Sequence, residues 1–167
     1  MSSILGLDLG ERRIGVAIAE VGGLAARPLT TVPRGRGVPS DAARIRALID
    51  EYAAGELVVG LPLEAAGHEG SQARLTRDWV EALTAVLDRA VIVTFRDERL
   101  TSHLAESRLG PMRRGRSGGP PTRHQREAYH ARVDREAAAI ILQDELDTRR
   151  EPDPSLSGPQ STLETPP

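Results

Sequence analysis

Ile4-Leu5-Gly6-Leu7-Asp8-Leu9-Gly10, followed after Glu11-Arg12 by Arg13-Ile14-Gly15-Val16-Ala17-Ile18-Ala19, is the stretch that decides how this chain is read. Both runs are short, apolar and bounded by glycine and charge, the pattern of two buried strands joined by a tight hairpin. The first run carries an acid, Asp8, near its middle. A carboxylate in a buried strand costs several kcal/mol unless it is paired, hydrogen-bonded or bound to a cation. The chain has no lysine, and no basic residue precedes Arg12. A bound metal ion is therefore a serious candidate to stabilise Asp8, beside backbone N–H groups.

Working outward, Leu24 to Val32 reads as a third strand before a Gly/Arg-rich loop. Ser40-Asp41 then opens a helix with Ile45, Leu48, Ile49 and Tyr52 on one face and Gly55 as its stop. Glu56 to Pro62 is a short buried strand. A helix over Ser71–Asp88 places Leu75, Trp79, Leu83 and Leu87 toward a core, and Ala90 to Phe95 is a fifth strand. Arg96-Asp97-Glu98-Arg99-Leu100-Thr101-Ser102 follows it and leads into a short helix ending at Leu109. Residues 110–123 are rich in Gly, Pro and Arg without apolar periodicity, as in a mobile basic loop. The last helix starts between Gln125 and Val133 and runs to Leu146. The expected organisation is one domain over residues 1–148 and a Pro- and Ser-rich, disordered tail over 149–167.

Three strands in a meander, then helix-strand-helix-strand-helix, is the element order of the α/β ribonuclease H-like fold. It predicts a five-stranded mixed sheet flanked by helices, with three antiparallel strands and two more running parallel to the first. Sites in such sheets lie outside the carboxyl ends of the parallel strands. Asp8 and Glu98 both fall at that edge.

Composition narrows the class without naming a partner. The 167 residues carry a formal net charge of -2, and all 22 basic residues are arginine. Asparagine is missing along with lysine, and G+C-rich coding accounts for both absences, so the arginine count alone says nothing about nucleic acid. The absence of cysteine excludes disulfides and thiolate metal sites and fits a reducing compartment. No apolar run approaches the roughly 18 residues that span a bilayer, and no leader pattern precedes the first strand. A cytoplasmic protein with no membrane partner is expected.

Asp8, Glu98 and Asp134 are far apart in sequence but fall at matching places in the element order. Asp134 lies in Val133-Asp134-Arg135-Glu136-Ala137, where the apolar stripe of the last helix begins. If that helix crosses the sheet edge, the three carboxylates converge. Oxygen-only clusters suit Mg²⁺ or Mn²⁺, and two such ions can activate water and stabilise the leaving oxygen in phosphodiester hydrolysis. Each acid also has a plainer reading: Asp8 held by backbone N–H groups, Glu98 in a solvated charged turn, Asp134 as a helix cap or first-turn dipole partner.

At this point the chain resembles the YqgF-type (RuvX) Holliday-junction-resolvase-like nucleases, a family associated with 16S ribosomal RNA maturation. The resembling pieces are Gly6-Leu7-Asp8-Leu9-Gly10 with Arg13-Ile14-Gly15-Val16-Ala17, and Val58-Val59-Gly60-Leu61-Pro62-Leu63. Asp97-Glu98-Arg99-Leu100-Thr101-Ser102 and Val133-Asp134 with Ala137-Ala138 and Ile141-Leu142-Gln143 complete them. Together they cover about residues 3–147. The resemblance implies a ribonuclease H-like fold, divalent-metal nuclease chemistry, and Asp8, Glu98 and Asp134 as metal-binding acids. It departs from the family after Leu63, where Glu64-Ala65-Ala66-Gly67 replaces the usual polar Asn, leaving Glu64 as a fourth ligand, a surface acid or a substitute contact.

Residues 110–135 hold seven arginines and two histidines against Glu127 and Asp134, an excess suited to phosphate. Arg113, Arg114 and Arg116 are expected to close over a nucleic-acid backbone, with Arg123 and Arg126 continuing the patch. Arg13 and Arg99, beside the acids, are candidates to hold a phosphate. Thr101 either orients a phosphate or starts the following helix, and His124 or His130 is a candidate for assisting proton transfer. Few aromatics argue against a base-stacking module. The expected function is cleavage of structured nucleic acid, first at the 5′ end of precursor 16S rRNA and second at four-way DNA junctions. The second needs a symmetric homodimer, whereas the first is open to a monomer. An ATPase of the actin or sugar-kinase type shares the Asp-x-Gly turn but needs two such domains. A silent nucleic-acid-binding module would require the acid trio to be vestigial.

Overall fold

A computed structural model describes residues 2–114 and 118–150. Arg116 and the expected tail beyond residue 150 lie outside the described residues. The elements follow the order β1 (Ser3–Leu9), β2 (Arg13–Glu20), β3 (Arg27–Pro33), α1 (Val38–Glu51), β4 (Ala54–Leu61), α2 (Ser71–Ala85), β5 (Ile92–Asp97), α3 (Thr101–Leu109) and α4 (Arg123–Arg150). They form the expected five-stranded mixed sheet, in the order β3-β2-β1-β4-β5. The β1–β2 and β2–β3 pairs are antiparallel, whereas β1–β4 and β4–β5 are parallel.

Alternation along β1 sorts its side chains between two cores. Leu5 and Leu7 join Ile45 and Ile49 of α1 and Trp79, Val80 and Leu83 of α2 on one face. Ile4 joins Ala138, Ile141, Leu142 and Leu146 of α4 on the other, and α3 packs beside α4 through Ala105, Val133 and Ala137. The period of two therefore turns Asp8 toward the α4 face. Among the described residues no helix is long and apolar enough to cross a membrane.

Several boundaries differ from the sequence reading, each for a visible reason. Leu24 to Ala26 do not extend β3, because Gln143 takes their backbone groups: Ala26 N–H donates to its Oε1 at 2.9 Å and Leu24 O accepts from its Nε2 at 3.2 Å. Helix α2 ends at Ala85, and Leu75, expected inward, is 59% exposed, since the inner face runs through Ala73, Thr76, Trp79, Val80 and Leu83. Strand β5 sits two residues later than expected, pairing Leu61 with Asp97. Helix α4 begins at Arg123, where Thr122 and Gln125 form a reciprocal capping box at 3.2 and 2.8 Å. It continues through Arg149 and Arg150, assigned above to the tail, because Arg149 pairs with Glu145 and Glu56 at 2.8 Å each.

Helix α1 also starts early, at Val38, with Pro39 in its first turn. Asp41 is therefore not an exposed cap but a buried clamp. Its carboxylate accepts from Gly35 N–H at 2.7 Å, Arg34 Nε at 2.6 Å and Trp79 Nε1 at 3.3 Å. Removing such an acid strands a guanidinium and an indole N–H, so Asp41→Ala should cost about 3 kcal/mol. Urea denaturation checks this, and an unchanged midpoint would show that the clamp is dispensable.

Candidate active site

The parallel strands β1 and β4 end side by side, with Leu7 level with Val59. Asp8 follows Leu7, and on the other side it is paired with Gly15 of β2. The polypeptide leaving β5 turns back at once. Glu98 N–H donates to Leu61 O at 3.2 Å and Thr101 N–H to Glu98 O at 3.0 Å, a reversal that places Leu100 at a positive φ of 66°. The turn lays the Glu98 side chain over Gly60. A Cβ at Gly60 would overlap Glu98 Oε2 and lie 2.6 Å from Ile141 Cδ1, so the acid occupies space that only glycine leaves open.

Asp8 and Glu98 meet in side-chain hydrogen-bond contact. Two carboxyls in contact cannot both ionise cheaply without a cation. Burial, then the negative charges of Glu98 and Asp134, push Asp8 well above the usual carboxylate range. Burial raises Glu98 to about 7. Glu98 Oε2 is buried and receives no hydrogen bond. An orphaned carboxylate oxygen facing a second acid with a raised pKa fits a hard divalent cation, which would replace the proton and satisfy the oxygen.

Asp134 reaches the same edge from α4. It lies three turns into the helix rather than near its start, so the helix-cap reading is overturned, the cap being Thr122. Its main-chain carbonyl rests against Gly15, where a Cβ would overlap it and lie 2.9 Å from Arg135 N. Its carboxylate, however, is held by Arg13, whose Nε donates to Oδ2 at 2.5 Å. Among the described residues no three His, Asp or Glu side chains stand close enough together to hold an ion. The structure thus joins Asp8 to Glu98 and places Asp134 beside them, turned to an arginine.

The basic candidates divide. Arg13 lines a cavity with Arg12, Arg123, Arg126, Glu127 and His130. Arg99 is anchored by Asp97, through Nε at 2.8 Å and its backbone N–H at 2.9 Å, and reaches Ala65 O at 3.3 Å. Thr101 is the first residue of α3 and is buried. Arg113, Arg114 and His124 are exposed. Glu64 is exposed too, and its carboxylate lies against Gly70 at the start of α2, where the helix dipole favours an anion. Arg12 and the grouping of His130 with the arginines escaped the sequence reading. A spacing of four residues between Arg126, His130 and Asp134 on one helix was the signal available.

Comparison with known proteins agrees with this architecture. The profile of a family described as "RuvX: Holliday junction resolvase" matches residues 2–148. A Chloroflexus aggregans protein named "Putative pre-16S rRNA nuclease" is 45% identical over 151 residues, covering 90% of this chain and 96% of its own. One of the same name from Anaeromyxobacter dehalogenans is 46% identical over 145 residues, covering 87% and 96%. The structure described as T. thermophilus RuvC in complex with Holliday junction substrate superposes with a TM-score of 0.52 at 15% identity, covering 90% of this chain and 97% of that one. That likeness establishes the ribonuclease H-like fold. With its fold, its acid-lined sheet edge and a match along nearly all its described length, the chain belongs to the RuvX Holliday junction resolvase family, whose chemistry is that of a nuclease, a hydrolase of ester bonds.

Proposed function

We propose that this protein hydrolyses phosphodiester bonds of structured nucleic acid with Mg²⁺ or Mn²⁺, and that its substrate is the 5′ end of precursor 16S rRNA. The observation that carries the reading is the buried pair of Asp8 and Glu98, with its orphaned Glu98 oxygen. Asp8 and Glu98 would hold the cation, and Asp134 would complete the set. Two such ions, when bound, activate a water and stabilise the leaving oxygen. The chain's own part is to fix the carboxylates on the end of β1, the turn after β5 and helix α4, keep Asp8 and Glu98 desolvated, and hold the substrate backbone with arginines. Arg99, pre-oriented by Asp97, and Arg13 are the proposed phosphate contacts nearest the acids, with Arg113, Arg114, Arg116, Arg123 and Arg126 extending the surface. The names of its 45%- and 46%-identical relatives support rRNA as the substrate.

A second reading, resolution of four-way DNA junctions, is favoured by the family's description and would require a homodimer, two sites being needed for two cuts. Cleavage of precursor 16S rRNA, plain single strands and four-way DNA junctions, each with Mg²⁺ and with Mn²⁺, tests both. Metal-dependent cleavage of the precursor at its 5′ end is expected. Cutting of junctions alone would transfer the assignment to DNA, and no cutting of any substrate would sink the nuclease reading.

A further inference from the structure

Beside the acids, the β1–β2 turn and the first turns of α4 border an open cavity of about 350 Å³. Four guanidinium groups, from Arg12, Arg13, Arg123 and Arg126, share it with His130 and one acid, Glu127. Arg123 pairs with that acid at 2.8 Å and Arg13 with Asp134 at 2.5 Å, which leaves the charges of Arg12 and Arg126 facing the cavity without an acid of their own among its lining residues. Arg126 is steadied from behind, its Nη1 donating to Pro121 O at 2.6 Å. Such a cluster is built for an oxyanion with several acceptor oxygens. Arg126, His130 and Asp134 follow at four-residue steps along one side of α4, so the cavity extends along the helix from Asp134 to Arg126, a rise of about 12 Å at 1.5 Å per residue.

Arg13 stands at the junction of the two. It lines the cavity, yet its Nε is spent on Asp134, with the two side chains only 26% and 23% exposed. A phosphate entering the cavity and a cation entering the acid site therefore pull one ion pair apart from opposite ends. The phosphate attracts Arg13, and the cation attracts Asp134. We propose that the arginine cavity takes a backbone phosphate of the substrate beyond the cleavage point, and that this phosphate draws Arg13 off Asp134, freeing that carboxylate to join Asp8 and Glu98 around the cation. Occupancy of the two sites is then reciprocally linked. The proposal rests on the metal-nuclease reading above and assigns Arg13 as a positioning residue that acts through Asp134.

Mn²⁺ titrated calorimetrically into the full chain, without nucleic acid, tests the link. In Arg13→Gln, with Asp134 already released, the Mn²⁺ dissociation constant should fall about fivefold or more. Arg13→Met, which keeps the packed stem, serves the same comparison if the glutamine variant melts early. Equal or weaker Mn²⁺ binding in a folded variant overturns the link and leaves the metal site standing. Absence of Mn²⁺ binding in wild type and variants alike overturns the metal reading, and the link falls with it. For the cavity, a fluorescein-labelled twelve-nucleotide RNA is bound in chelator, where metal-dependent cleavage cannot occur. Arg12→Ala and Arg126→Ala should each weaken it about three- to tenfold and flatten the salt dependence. Binding like the wild type in both variants removes the phosphate from this cavity.

Discussion

Asp8→Asn is expected to lower metal-dependent cleavage by about a thousandfold or more while making the metal-free protein harder to unfold at pH 8. The loss follows from removing a charge that holds the cation, where several kcal/mol of transition-state stabilisation are at stake. The gain follows from the same acid's surroundings. Asp8 and Glu98 are raised in the folded chain, chiefly by burial, so the native state binds more protons than the unfolded state between their two sets of pKa values. Stability from this pair is complete below the unfolded carboxylate range, near pH 4, and is lost as pH rises through about 7, where Glu98 gives up its proton. From pH 5 to pH 8 in chelator, the pair should cost the wild type on the order of 2 kcal/mol.

Asparagine does not titrate, so the variant should lose only the part that comes from Glu98, which burial raises in either protein, and should be spared the part that comes from Asp8. Glu69, Asp97 and Glu127, which Arg77, Arg99 and Arg123 hold below their usual values, titrate beneath it. The histidines are common to both proteins and cancel. Urea denaturation of both chains at pH 5 and pH 8 in EDTA, with cleavage assays alongside, makes the comparison. A parallel pH dependence in the two proteins would show that Asp8 is not raised in the folded chain, and retained cleavage in the variant would remove Asp8 from the metal site.

Gly15→Ala should produce the largest structural effect, a loss of about 3 kcal/mol or more with a melting point lower by roughly 10 °C. A Cβ there would overlap the main-chain carbonyl of Asp134, and backbone cannot move aside as a flexible side chain can. Helix α4 would have to lift from β2, taking Asp134 away from Asp8, so activity should fall with stability. Gly55→Ala is the control, since a Cβ at that position meets nothing within 4 Å. Equal melting points for wild type and Gly15→Ala would refute the close approach.

Much of this was legible beforehand because it is local. An acid inside Ile4–Gly10 conflicts with the apolar strand around it, and that conflict marked Asp8 without any structure. The order of strands and helices carried the sheet topology, because a meander followed by two crossovers leaves few arrangements. The Thr122–Gln125 capping box was equally local, though the helix start was placed later. Leu75 misled because an apolar residue at helical spacing need not face the core when Ala73, Thr76 and Val80 define the inner face. Asp41 misled because a capping acid and a buried clamp look alike until Arg34 and Trp79 are seen beside it.

The sequence by itself determined the class of fold and the family, and marked Asp8, Glu98 and Asp134 as candidate acids, since these depend on periodicity, element order and residue type within short windows. Only the tertiary structure decided how the acids stand to one another. Asp8 and Glu98 meet because Gly60 leaves room for a side chain 38 residues further along the chain. Asp134 is turned to Arg13, 121 residues away. Contacts of that separation are set by helix-on-sheet packing and by the energetics of sharing or pairing buried charge, and no local pattern encodes them.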